Sequence, residues 1–453
     1  MICYDPHINI WFVSASIFAI VVLSKLLSKK TATVDVLWLI LFGAFFANIG
    51  LLPSEHKVLE EIGEWGIVFV MFALGFEEDM GHFQEGLKHS WGIALIGAIF
   101  PFGAGYFTAK LFGYTESAAM LWGLTMTATA VSLTMMCLRN ENLHKSTAAT
   151  GIMTAAVVDD ILSLIGVAMV VPIVLMAHNP ATAYQGIDIT NILWILLKVV
   201  LFFGIMIVMG LFAFPERVPP KLPKHPTLLQ KMDFYLTKIF ISVNIRKLLL
   251  AFEGEFTPLI MIFIAMSAGA LAHYFGFHPA IGAYMAGLFL KKDYFIFHEK
   301  EIDTPDQHFL KSKYVIDHIA FSIFGPIFFV NLGSKLMFDT EIFWQVLPMF
   351  LTLFVLVFIF QVLSASLAAR FTGGYTWYQS IMIGFGMLGR AELAFIVIDI
   401  AYTENHIIDT PQFYVMMFTV FLLNITVPLT ISWWKPYYTG DKSLTLFNIK
   451  LSK

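Results

Sequence analysis

The run Ala155-Ala156-Val157-Val158-Asp159-Asp160-Ile161-Leu162 sets two adjacent acids in the middle of an apolar stretch from about Thr147 to Met176. A helix of that length crosses the ~30 Å of hydrocarbon in a bilayer, and the acid pair falls near its midpoint. Each ionised carboxylate at that depth costs at least ~2.5 kcal/mol, so acids there call for a pathway, a partner or an ion. Function is to be sought around these carboxylates.

The rest of the chain is of the same kind. Of 453 residues 58% are hydrophobic and only 13% charged, about half the charged share of an average soluble domain. Mean hydropathy is +0.76. Apolar runs near 20 residues recur throughout, so the chain reads as an all-α polytopic membrane protein. Thirteen spans are expected, at 10–27, 34–52, 62–78, 89–111, 117–138, 147–176, 190–214, 254–274, 277–290, 317–337, 343–369, 376–401 and 411–434. Alternate loops and their flanks hold 23 of the 28 lysines and arginines, which predicts an outside N-terminus and a cytoplasmic C-terminus. A signal peptide is not expected, because the first apolar run follows an acidic, lysine-free start.

Four segments follow from this reading. Residues 1–214 form a first transmembrane half, and 215–253 a cytoplasmic linker rich in proline and basic residues. Residues 254–434 form a second transmembrane half, and 435–453 a short cytoplasmic tail without a G-x-G-x-x-G nucleotide fingerprint. Cys3 and Cys137 supply no disulfide framework. His273, His278 and His318 sit at helix ends, where capping is the expected role.

Two spans are interrupted by polar sequence. The fifth contains Thr125-Met126-Thr127-Ala128-Thr129-Ala130-Val131-Ser132-Leu133-Thr134, whose hydroxyls suit either an unwound segment or bonds back to the helix's own carbonyls. The twelfth contains Gly384-Phe385-Gly386-Met387-Leu388-Gly389-Arg390-Ala391-Glu392. Arg390 is charged at any relevant pH and needs water, a carboxylate or carbonyls. Arg390 and Glu392, two apart, point to different helix faces and each needs a partner elsewhere. If spans 2–6 and 9–13 are five-helix repeats, their separation by seven makes them inverted, and the two breaks cross near the midplane. That is an architecture of alternating-access transporters.

These residues together resemble the monovalent cation:proton antiporter-2 family, with the fold of bacterial sodium/proton antiporters of the NapA and NhaA type, over roughly Ile10 to Trp434. Phe72-Ala73-Leu74-Gly75-Phe76-Glu77 is similar to the family's FxxGLE. Thr129-Ala130-Val131-Ser132-Leu133-Thr134 is similar to TSVxIT, and Val158-Asp159-Asp160 to the acid pair. His278-Pro279-Ala280-Ile281-Gly282-Ala283-Tyr284-Met285-Ala286-Gly287 is similar to xPALGAFLAG. Pro326-Ile327-Phe328-Phe329-Val330-Asn331-Leu332-Gly333 is similar to PFFFVxxG, and Gly389-Arg390-Ala391-Glu392 to GRGE. The resemblance implies that Asp160 binds cation and proton in competition, that Asp159 accompanies it, and that Thr129 and Ser132 line the ion site. It also implies a homodimer with a six-helix core moving as an elevator, and it brings Glu77 near Arg390. Gln361 stands nine residues before Arg370, where double-aspartate members carry a lysine. Ala391 and Ala130 also depart from the motifs, which bears on ion selectivity and stoichiometry.

The chemistry follows from the residues. Two carboxylates in one apolar site cannot easily both ionise, and a dehydrated Na⁺, Li⁺ or K⁺ can replace the proton with hydroxyl and carbonyl oxygens completing its shell. The expected function is cation:proton exchange across the cell's inner membrane, with no cofactor and no nucleic-acid partner. Other readings on the same fold are a K⁺-selective efflux or channel-like protein, or an organic-anion:Na⁺ symporter. An intramembrane enzyme is disfavoured: Ser163 and Leu164 stand where a DDxxD motif would end, and apart from Asp399, near an outer helix end, no second aspartate is central.

Overall fold

Helix starts follow local capping chemistry. Thr115, Thr376 and Asp409 each accept a backbone N–H of the first turn they precede, and Thr376 forms a reciprocal capping box with Gln379, satisfying donors that a helix start leaves open. The computed structural model describes residues 10–31, 35–53, 57–77, 80–178, 189–212, 245–249, 254–290, 292–295, 305–390, 392–442, 445–446 and 449–450. Its helices are α1 (Ile10–Thr31), α2 (Asp35–Asn48), α3 (Lys57–Glu77), α4 (Met80–Leu111), α5 (Glu116–Thr125), α6 (Val131–Asn140), α7 (Thr147–His178) and α8 (Ile189–Phe212). They continue as α9 (Ile245–Leu249), α10 (Thr257–Tyr274), α11 (Pro279–Phe289), α12 (Pro305–His318), α13 (Gly325–Ser334), α14 (Thr340–Phe371), α15 (Trp377–Gly386), α16 (Glu392–Asp399) and α17 (Thr410–Thr439).

The fold is helical, as expected. Eight described helical segments are long and apolar enough to cross a membrane, and α2 and α11 are shorter apolar helices. Both interruptions read from the sequence appear: α5 ends at Thr125 before α6 begins at Val131, and α15 ends at Gly386 before α16 begins at Glu392. One span starts earlier than its hydropathy suggests. The helix expected from residue 317 runs from Pro305 through a π-helical turn at Ile319–Phe324 into α13, because backbone hydrogen bonding continues through the charged residues that end the apolar window. The linker lies outside the described residues except for α9.

The chain packs as two compact units, each drawing on both halves of the sequence. The first comprises Met1–His56, Gly81–Ile189 and Phe329–Lys453 and contains both broken helices; the second comprises Lys57–Met80 and Thr190–Phe328. Within the second, α3 and α11 cross at backbone distance. A β-carbon at Gly75 would lie 2.9 Å from the Tyr284 carbonyl carbon, and one at Gly287 would lie 2.7 Å from the Phe76 nitrogen. Two glycine motifs quoted above are therefore helix-packing contacts, the usual use of small residues between membrane helices.

Candidate ion-binding site

Both acids lie on α7, but their surroundings differ. Successive helical residues are turned by about 100°: Asp159 is wholly buried, whereas Asp160 is half-buried. Oδ2 of Asp159 accepts the Thr129 backbone N–H at 3.2 Å and its hydroxyl at 2.8 Å. Oδ1 of the same carboxylate is buried without a hydrogen-bond partner. Thr129 can donate twice because the chain has left the helix there, which frees its N–H.

The two breaks meet. Ala130 N–H donates to the Gly389 carbonyl at 2.9 Å, and the Thr134 hydroxyl donates to the Gly386 carbonyl at 2.6 Å. Thr125 and Thr127 turn back onto the carbonyls of Leu121 and Leu124. Unwinding and back-bonding, the two uses open to this hydroxyl-rich segment, thus occur together. The glycines of the second break serve approach rather than unusual torsion, since positive φ among the described glycines falls at 50, 113, 254, 276, 374 and 440. A β-carbon at Gly384 would lie 2.8 Å from the Val362 carbonyl oxygen, and one at Gly389 would lie 3.0 Å from the Ala130 β-carbon.

Arg390 is the buried cation of this crossing, 1% exposed. Its Nη1 donates to the carbonyls of Met387, Leu388 and Gly389 at 3.1, 3.3 and 3.0 Å, so the guanidinium caps the negative end of α15. Nη2 donates to Gln361 Oε1 at 2.7 Å. Arg390 and Asp159 lie close enough for their charges to interact. Glu392 opens α16 and opposes the positive end of that half-helix.

Residues 15–216 and 234–435 match the family described as sodium/hydrogen exchanger, transmembrane. The chain belongs to the sodium/hydrogen exchanger family. It is 27% identical over 362 residues to a probable Na⁺/H⁺ antiporter, GerT, of Bacillus cereus, covering 79% of this chain and 81% of that one. It is 22% identical over 414 residues to a Na⁺/H⁺ antiporter of Enterococcus hirae, covering 90% and 93%. Its fold is similar to that of the sodium proton antiporter MjNhaP1 of Methanocaldococcus jannaschii, with a TM-score of 0.62, 14% identity, and 94% and 97% of the two chains covered. These relatives are transporters, so the exchanger is a multi-pass membrane protein and not an enzyme.

Within the exchanger's first unit, Thr129, Asp159, Gln361 and Arg390 form one buried polar group, and Asp160 adjoins it in sequence. The Ser132 side chain lies outside the described residues. Gln361, which stands where the resembled family carries a lysine, is the acceptor for Arg390. Glu77 is exposed and lies 3.7 Å from Lys313 within the second unit, and Arg390 belongs to the first. His278 Nδ1 accepts the Ala280 N–H at the start of α11, a capping role as expected. Asn424 escaped the sequence reading as a site residue: its Oδ1 accepts the Arg390 N–H at 2.7 Å and its Nδ2 donates to the Arg390 carbonyl at 3.0 Å. A lone amide inside an apolar span was the available signal.

Proposed function

We propose that the protein is a secondary active transporter exchanging a monovalent cation, Na⁺ with Li⁺ or K⁺ as further candidates, for protons. The observation that carries this reading is the acid pair set at two crossed helix breaks. Asp160, half-buried, is the group that cation and proton occupy in turn. Asp159 is the standing counter-charge of Arg390, held by the two bonds that Thr129 donates to its Oδ2. Thr129 holds Asp159, and with Ser132 it belongs to the break that supplies oxygens to the ion. Arg390 cannot release a proton at any working pH, so the acids alone carry the protons.

Exchange follows from competition for one site together with a barrier to moving that site empty and charged. The reading includes alternating access of the elevator type by a homodimer in the cell's inner membrane, with the N-terminus outside. It counts thirteen passes by taking each broken helix as one, arranged as two inverted five-helix repeats.

Reconstitution tests it. In proteoliposomes holding a pH dye, adding Na⁺ or K⁺ on one side should drive protons out of the other. A channel or an anion symporter of this fold would pass cations without the proton signal, and that result would replace the proposal.

A further inference from the structure

Breaking a helix inside a membrane frees backbone N–H and C=O groups that have no water to bond, and each unsatisfied group is costly there. At the second break the freed groups of Arg390 are met by one side chain. Asn424, on α17 and 2% exposed, accepts the Arg390 N–H through Oδ1 at 2.7 Å and donates to the Arg390 carbonyl through Nδ2 at 3.0 Å. A carboxamide has the donor–acceptor pair of a peptide group, so it pairs with residue 390 as a neighbouring strand would. Asn424 reaches residue 390 beside Gly389, where a β-carbon would stand in ordinary contact, 3.4 Å, with Asn424 Oδ1 and a Val427 methyl.

We infer that Asn424 is a positioning residue for transport: it pins the backbone of Arg390 so that the guanidinium stands at a fixed place relative to the acid pair. The guanidinium is otherwise tied to Met387, Leu388 and Gly389 in its own break and to Gln361. The first three of these move with the break. Held at residue 390 and at Gln361, the charge keeps a constant distance from α7. Among the described residues, the ionisable groups on α7 near its middle and beside the second break are Asp159, Asp160 and Glu392, besides Arg390 itself, while α14 and α17 present the neutral amides of Gln361 and Asn424. Loss of the pin lets the positive charge drift from the acids, which then hold proton and cation alike more tightly and release the proton only at higher pH.

This inference rests on the exchange reading, and the test separates the two. Purified wild type, Asn424→Leu and Asn424→Ser are reconstituted, and cation-driven proton release is measured against pH and against Na⁺ concentration. Asn424→Leu should shift the half-maximal pH by about 0.5 unit or more toward alkaline and lower the apparent KM for Na⁺ at alkaline pH, with a smaller effect on the maximal rate. Should Asn424→Leu fail to fold, Asn424→Ser, smaller than the amide and unable to bridge both groups, carries the same expectation. For any variant that folds without transporting, the Na⁺-dependent rise in thermal stability is followed against pH and should shift likewise. Wild-type protein without proton release would sink the exchange reading. Active wild type with variants that lose rate or yield at unchanged pH profile and KM would overturn the positioning role alone, leaving Asn424 as a structural amide. If neither variant folds, so that the amide is a requirement of folding, the positioning role is likewise rejected.

Discussion

Gln361 Oε1 accepts a hydrogen bond from Arg390 Nη2 at 2.7 Å, with both side chains out of solvent. It joins α14 to the second helix break and gives the guanidinium a partner outside its own loop. Replacing Gln361 by Met leaves that charged donor without an acceptor at nearly constant volume. The expected loss of stability is about 1.5–3 kcal/mol, read by thermal denaturation in detergent. Gln361→Lys should be worse, because it sets two cations side by side in a buried site. A Gln361→Lys protein as stable as wild type would show that the contact does not matter.

Asp159 and Asp160 are expected to respond differently to the same change. Asp160→Asn should abolish exchange while expression and melting temperature stay near those of wild type. Asp159→Asn keeps an acceptor for Thr129 but removes the charge that balances Arg390, and leaving a buried charge unbalanced costs about 3–5 kcal/mol. Its melting temperature should therefore fall well below that of Asp160→Asn. Equal melting temperatures, or cation exchange surviving Asp160→Asn, would contradict the division of roles.

At the membrane edge, Lys435 Nζ lies 2.9 Å from Glu141 Oε2, and this hydrogen bond holds the Glu141 carboxyl below the usual carboxylate range. A carboxyl depressed by folding stabilises the protein above its unfolded value, ~4.3 for glutamate, and the contribution is lost as pH falls through the lower folded value. The pair is partly exposed, so its worth is about 0.5 kcal/mol. Glu141→Gln should melt slightly below wild type at pH 7, with the gap closing as the carboxyl protonates. A gap that widened on acidification would reverse the assignment.

Stoichiometry follows from the charges at the crossing. On the proposed roles, with Arg390 permanently charged and Asp159 as its counter-charge, Asp160 alone is predicted to alternate between cation and proton, and exchange to be one-for-one and electroneutral. Proteoliposomes clamped with a potassium gradient and valinomycin test this for Na⁺. A rate or end point that follows membrane potential would mean that Asp159 also releases a proton in each cycle.

Much of this protein is written locally. Span positions, the acid pair and the two polar interruptions are legible because a bilayer admits few charges and demands long apolar runs, so each exception marks itself within a few residues of sequence. Pairing between helices is not written that way. Thr129 finds Asp159 across 30 positions, Arg390 finds Gln361 across 29 and Asn424 across 34, and each match depends on how helices rotate and cross. The sequence alone singled out Asp159, Asp160 and Arg390 as costly groups of an apolar chain, and the family resemblance added Gln361. That Gln361 serves Arg390, that Glu77 lies beside Lys313, and that Asn424 holds the second break were decided by tertiary packing, because a hydrogen bond needs two groups within about 3 Å and nothing local to either residue specifies the other.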